Sequence, residues 1–237
     1  MLKIPRGCTI NTPKCTYPTW NKGAGNGLEM KSCCIKHLRE IIYYLTDLFE
    51  EYRITYWIDF GTLLGAIRSG RSVPHDTDGD MCLFLRDRPK VCELAGRMKQ
   101  DGFHMGPTVK TRWRDGHIKI YRSTTNHMVV DLFFWSLNPN TGVLHSGGLN
   151  TPKSFPIWWV DKLEPVLIFD KSVMGPREPS KFLQFRYGKD WKRPQNKKVH
   201  FNVAAYTHRF AFQYAHKKGW QWNKPEGNQP PKKISVV

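Results

Sequence analysis

Residues 74–85 read Pro74-His75-Asp76-Thr77-Asp78-Gly79-Asp80-Met81-Cys82-Leu83-Phe84-Leu85, a carboxylate-rich entry running straight into an apolar strand. In extended backbone, side chains two apart share a face, so Asp76, Asp78 and Asp80 are set to converge. Three carboxylates on one side repel unless a cation neutralises them. Oxygen-only ligands suit a hard divalent ion, Mg²⁺ or Mn²⁺. A calcium loop competes for the same letters, but it needs Glu at its twelfth position. Counting from Asp76 or Asp78, that position is Asp87 or Pro89, beyond an apolar strand, so the calcium reading is set aside. A solvated turn explains one such aspartate but poorly explains three in register ahead of a core strand.

Working outward, the chain offers a fourth carboxylate downstream. Asp131 sits inside Met128-Val129-Val130-Asp131-Leu132-Phe133-Phe134, where an unpaired charge would be costly to bury. A cation shared with Asp78 and Asp80 explains it economically; a structural aspartate bonded to backbone is the alternative. Upstream lies Gly61-Thr62-Leu63-Leu64-Gly65, a turn entering a short helix. Its glycines allow close approach of backbone to a ligand, and a helix N-terminus favours phosphate.

The surrounding pattern predicts an α+β fold, a mixed sheet flanked by helices. After Ser32, apolar residues at Ile35, Leu38, Ile42, Leu45, Phe49 and Tyr52 follow helical spacing. Residues 54–59 read as a strand, and the helix entered at Gly61 is expected to stop near Gly70. One helix is expected over 89–100, strands near 117–122 and 127–135, and a helix over 179–187. Beyond Asn138 the pattern loosens into loops, with a further helix expected at 203–217 and a polar tail after it. These signals divide the chain into a Cys-rich module at 1–36, a catalytic domain at 37–195 and a basic extension at 196–237.

The 237 residues carry 37 Lys and Arg against 20 Asp and Glu, a formal charge of +17, so the surface attracts anions. The basic residues are scattered, which favours a general anion-attracting surface over a nucleic-acid stripe. No apolar run has the length of a membrane span, and the start lacks a signal peptide's apolar stretch. Membrane association is therefore expected only through a segment outside this sequence, and a homo-oligomer is left open. Cys8, Cys15, Cys33 and Cys34 have the form C-x6-C-x17-C-C. On spacing alone this is a weak zinc signal, and disulfides fit equally well.

The order Gly-Thr-Leu-Leu-Gly, Asp-x-Asp-x-Asp, Val-Asp-Leu resembles the LicD/fukutin family of nucleotidyltransferase-fold phosphotransferases, nearest its fukutin-related branch. The segments YWIDFGTLLGAIRSG, PHDTDGDMCLF, NHMVVDLFF and FLQFRYGKDWKRP carry the resemblance, over roughly residues 8–194. It implies transfer of a phospho-alditol, ribitol-5-phosphate-like, from a CDP-linked donor to a glycan or glycoprotein hydroxyl, with release of CMP. Phosphocholine transfer within the family and a nucleotidyltransferase acting on nucleic acid are the alternatives, with a non-catalytic binding module as a third. By the same resemblance Asp78, Asp80 and Asp131 bind Mg²⁺ or Mn²⁺, Asp76 completes the acidic site, and Cys8, Cys15, Cys33 and Cys34 bind structural Zn²⁺. Asp76 or Asp131 would take the acceptor proton. Gly61 and Thr62 line the donor site. From their place beside the motifs Arg68, Arg71 and Lys119 are candidate phosphate ligands, with a solvated surface role as the alternative for each. Trp158 and Trp159 are candidates for acceptor contact. The family setting is the Golgi or secretory lumen. His75 stands where Trp is usual and Thr62 where Ser is frequent, departures that bear on the donor group rather than on the carboxylates.

Overall fold

The computed structural model describes residues 32–74, 76–106, 117–124, 128–146 and 154–193. Helix α1 (Ser32–Glu51) presents Leu38, Ile41, Ile42, Leu45, Leu48 and Phe49 to the core, all almost fully buried. That spacing of three and four makes one apolar stripe. The helix crosses the division drawn at residue 36. Strand β1 (Tyr56–Ile58) follows, and then α2 (Phe60–Ser69). The Asp59 side chain caps α2 by accepting the Phe60 N–H at 2.7 Å, and Gly70 ends it with φ 67.

Strand β2 (Asp78–Phe84) is succeeded by two short helices, α3 (Arg88–Glu93) and α4 (Ala95–Gln100). A single helix was expected over 89–100. Instead the chain tightens at Leu94, whose ψ of −2 and i→i+3 hydrogen bond to Val91 interrupt the ladder. Next come β3 (His104–Met105), β4 (Ile118–Tyr121), β5 (Val129–Asn138), β6 (Val143–Ser146) and β7 (Phe155–Pro156). The chain then forms the hairpin β8 (Glu164–Ile168) and β9 (Lys171–Gly175), and ends its described part with α5 (Pro179–Tyr187).

Strands β1 to β7 make one mixed sheet in the order β1-β2-β5-β4-β3, with β6 and β7 extending from the far half of β5. The β2–β5 pair is parallel and the other pairs are antiparallel. The α+β expectation therefore holds. The loops expected beyond Asn138 are replaced in part by β6 and the hairpin, which packs on β1 and α2. Burial in the hairpin alternates, with Val166, Ile168 and Val173 inward and Pro165, Leu167 and Ser172 outward. That period-two signal is present in the letters.

Gly79 shows which face of the sheet is which. A Cβ there would meet Val130 at 3.1 Å, Leu38 at 3.2 Å and Ile42 at 3.5 Å, so this position lies against α1. Alternation along the strand then sends Asp78 and Asp80 to the opposite face, where α2 begins. The helix expected at 203–217, the Cys-rich module up to residue 31, the tail and His75 lie outside the described residues.

Candidate active site

The β2–β5 register sets Asp80 directly opposite Asp131, and the β4–β5 register sets Lys119 opposite Asp131. Directly paired residues share a face. One row across three strands is thus Asp80, Asp131 and Lys119. Asp78 precedes Asp80 by two residues on the same face. Asp76 lies just ahead of the strand, its N–H held by the Val73 carbonyl at 3.0 Å.

The start of α2 clamps this row. The Gly61 N–H donates to Asp80 Oδ2 at 3.1 Å, and the Asp80 N–H donates to the Thr62 hydroxyl at 2.7 Å. A Cβ on Gly61 would stand 2.1 Å from Asp76 Oδ2 and 3.5 Å from Asp80 Oδ2. Both carboxylates therefore close over the same backbone atom, and only glycine leaves them room. Thr62 is buried and spends its oxygen on Asp80.

Crowding changes the proton affinity of this group. Asp80 is pushed well above the usual carboxylate range, by burial first and then by the charges of Asp78, Asp76, Asp131 and Asp59. Asp76 is raised well above it by burial and then by Asp78. Asp78 is raised as well, chiefly by burial. Each of these shifts has the sign expected where a carboxylate loses water and faces like charge.

Lys119 does not stand free beside the row. Its Nζ donates to Asp131 Oδ1 at 2.6 Å and to Oδ2 at 2.8 Å. His117 lies beyond, with Nε2 3.9 Å from Asp131 Oδ2, and burial lowers its pKa from the ordinary value. Among the described residues the carboxylates neighbour one another without closing into a ready-made metal cage.

Other expected site residues fall elsewhere. Arg68 donates through Nη2 to the backbone carbonyls of Trp191 and Arg193, so its guanidinium ties α2 to the segment after α5. Arg71 is exposed. Trp159 is fully buried against Phe182 and Phe185, which makes it core rather than acceptor contact; Trp158 stacks on it at 3.8 Å and stays half-buried. Cys8 and Cys15 lie outside the described residues, as does the Cys33 side chain. Cys34 is buried and disulfide-bonded.

Sequence inspection passed over the ion pair that supports the site. The Asp59 carboxylate, fully buried, accepts from Arg186 Nε at 3.1 Å and from its Nη2. The Arg186 guanidinium carbon lies 4.8–5.4 Å from the ring centres of Phe60, Trp135, Phe155 and Phe182. Asp59 is also the cap of α2, so the pair fixes the corner from which Gly61 and Thr62 reach Asp80. Phe60, at that corner, has φ +48, a left-handed conformation costing about 1–3 kcal/mol in a non-glycine residue. Next to Arg186, the Tyr187 phenol is raised well above its ordinary value by burial and then by the charges of Asp59 and Asp80. The signal available in the sequence was an aspartate ahead of Phe60 and an arginine between Phe185 and Tyr187, 127 positions apart.

Comparison with known proteins adds a family. A family model described as LicD/FKTN/FKRP, nucleotidyltransferase domain, matches residues 53–178. Ribitol 5-phosphate transferase FKRP of Homo sapiens and that of Mus musculus are each 27% identical to the chain over 164 residues. The match covers 66% of this chain and 32% of each relative, so the chain spans about a third of their length. Among solved structures, the lincosamide antibiotic adenylyltransferase LnuA with lincomycin bound is 16% identical with a TM-score of 0.41, covering 66% of this chain and 86% of that one.

Proposed function

The chain belongs to the LicD/FKTN/FKRP family of nucleotidyltransferase domains, and on that premise we propose that it moves a ribitol-5-phosphate-like group from a CDP-linked donor to a glycan hydroxyl, releasing CMP. The observation that carries this reading is the meeting of carboxylates from two strands, Asp78 and Asp80 on β2 and Asp131 on β5, beside the bare Cα of Gly61 over which Asp76 and Asp80 close. The transferred group is the one in the name of the matched relatives, ribitol 5-phosphate transferase. The setting proposed with it is the Golgi or secretory lumen. Among the described residues no helix is long and apolar enough to cross a membrane.

The residues suit a divalent ion. The donor atoms are all carboxylate oxygens, and their mutual repulsion is the kind a hard cation relieves. Asp78 and Asp80, with Asp131, are the residues that would hold Mg²⁺ or Mn²⁺. Such an ion, when bound, supplies charge neutralisation at a diphosphate.

The chain's own residues do the rest by position. Gly61 and Thr62 hold Asp80 from both its side chain and its backbone. Asp131 is among the residues that would hold the ion, which leaves Asp76 as the base. Burial and Asp78 raise the proton affinity of Asp76, which suits a group that must take a proton. The acceptor oxygen bonds to the donor phosphorus, the bond from that phosphorus to the CMP oxygen breaks, and the acceptor proton passes to an Asp76 oxygen.

The test is CMP release with Mg²⁺ or Mn²⁺, an acceptor glycan and CDP-ribitol, CDP-glycerol or CDP-choline in turn. CDP-ribitol is expected to turn over, with loss of that turnover in Asp78→Asn and Asp80→Asn. Full turnover in both variants would remove the carboxylates from the reaction. Pyrophosphate release from an NTP in the presence of RNA or DNA, without CMP release from any CDP donor, would support the nucleic-acid alternative.

A further inference from the structure

The Lys119 ammonium spans both oxygens of Asp131 at 2.6 and 2.8 Å. The two side chains are 15% and 8% exposed, so little water competes for the contact. Asp80 meets the same Asp131 from the neighbouring strand. A divalent ion ligated by Asp80 and Asp131 would share a carboxylate with a second cation, and two cations at that distance repel. Lysine also has the long flexible stem needed to withdraw its charge toward water.

We infer that Lys119 is the built-in counterion of this carboxylate row, occupying Asp131 in the metal-free protein and leaving it when a divalent ion binds. Lys119 therefore competes with the ion for Asp131: it ties β4 to β5 while no metal is present, and it weakens metal affinity. The inference rests on the divalent-ion reading above.

The experiment is a titration of the full, metal-stripped chain with Mn²⁺ alone, followed by electron paramagnetic resonance, for wild type, Lys119→Met and Lys119→Gln. With the competitor gone, the Kd for Mn²⁺ falls by roughly an order of magnitude in both variants. The gain persists in about 1 M salt, where the Debye length is roughly 3 Å and distant charges are screened. An unchanged or raised Kd in a folded variant overturns the inference while wild-type Mn²⁺ binding leaves the ion reading standing. A gain that vanishes in high salt also overturns it, since a remote positive charge acts that way. If no protein takes up Mn²⁺, both readings fall together. Variants that fold only with Mn²⁺ support the inference, because the ion has replaced the ammonium. Variants that fold under neither condition overturn it.

Discussion

Gly61 has no side chain to spare because Asp76 and Asp80 occupy the space one would need. The Gly61→Ala substitution places a methyl group where the Asp76 oxygen now lies, and the carboxylate has to turn away. Misplacement of a reacting group by about 1 Å costs roughly 10²-fold in rate, so turnover is expected to fall by that order while the thermal midpoint hardly moves. Wild-type turnover in Gly61→Ala would mean that the position of Asp76 is immaterial. Lys119 shows the limit of reading residues singly. Its letters beside a motif suggest a phosphate ligand, yet the sheet register turns its ammonium onto Asp131. Arg68 likewise looks available from its place in the motif, but it is spent on the carbonyls of Trp191 and Arg193.

At the scale of elements, helix α5 is joined to the α2 corner by Arg186 and Asp59, 1% and 0% exposed. Removing one partner leaves a bare charge among aromatic rings, so Arg186→Met is expected to cost about 3–5 kcal/mol in urea denaturation. The double variant Asp59→Asn/Arg186→Met should regain a large part of that loss, because no charge is then left unpaired. If the double variant is no better than the single, the pair is not the source of the stability. Elements with strong periodicity were legible: α1 from its apolar stripe, β2 and β5 from apolar runs around aspartates. The α3–α4 break at Leu94 was not, since nothing in Val91-Cys92-Glu93-Leu94-Ala95 forbids a continuous helix. The β8–β9 hairpin alternated correctly, but the prolines and glycines around it masked a signal only five residues long per strand.

For the whole molecule, the cysteines offer the broadest test. Cys82 and Cys92 are free thiols and Cys34 is disulfide-bonded. With six cysteines in the chain and at least one bridge, thiol titration of the denatured, chelator-treated protein is expected to find four or fewer. Six thiols accompanied by about one zinc per chain, as a four-thiolate site requires, would instead support Zn²⁺ at Cys8, Cys15, Cys33 and Cys34. The α+β class, the entry of aspartates into a core strand and the family were all determined by the sequence alone. Strand periodicity and motif order are local properties that survive without coordinates. Which strands pair, and in what register, was decided only by the tertiary structure. Register brought Asp131 beside Asp80 and turned Lys119 into its partner, while the packing of α5 on the α2 corner joined Asp59 to Arg186. Contacts between distant residues depend on how whole faces pack, and no spacing of letters encodes them.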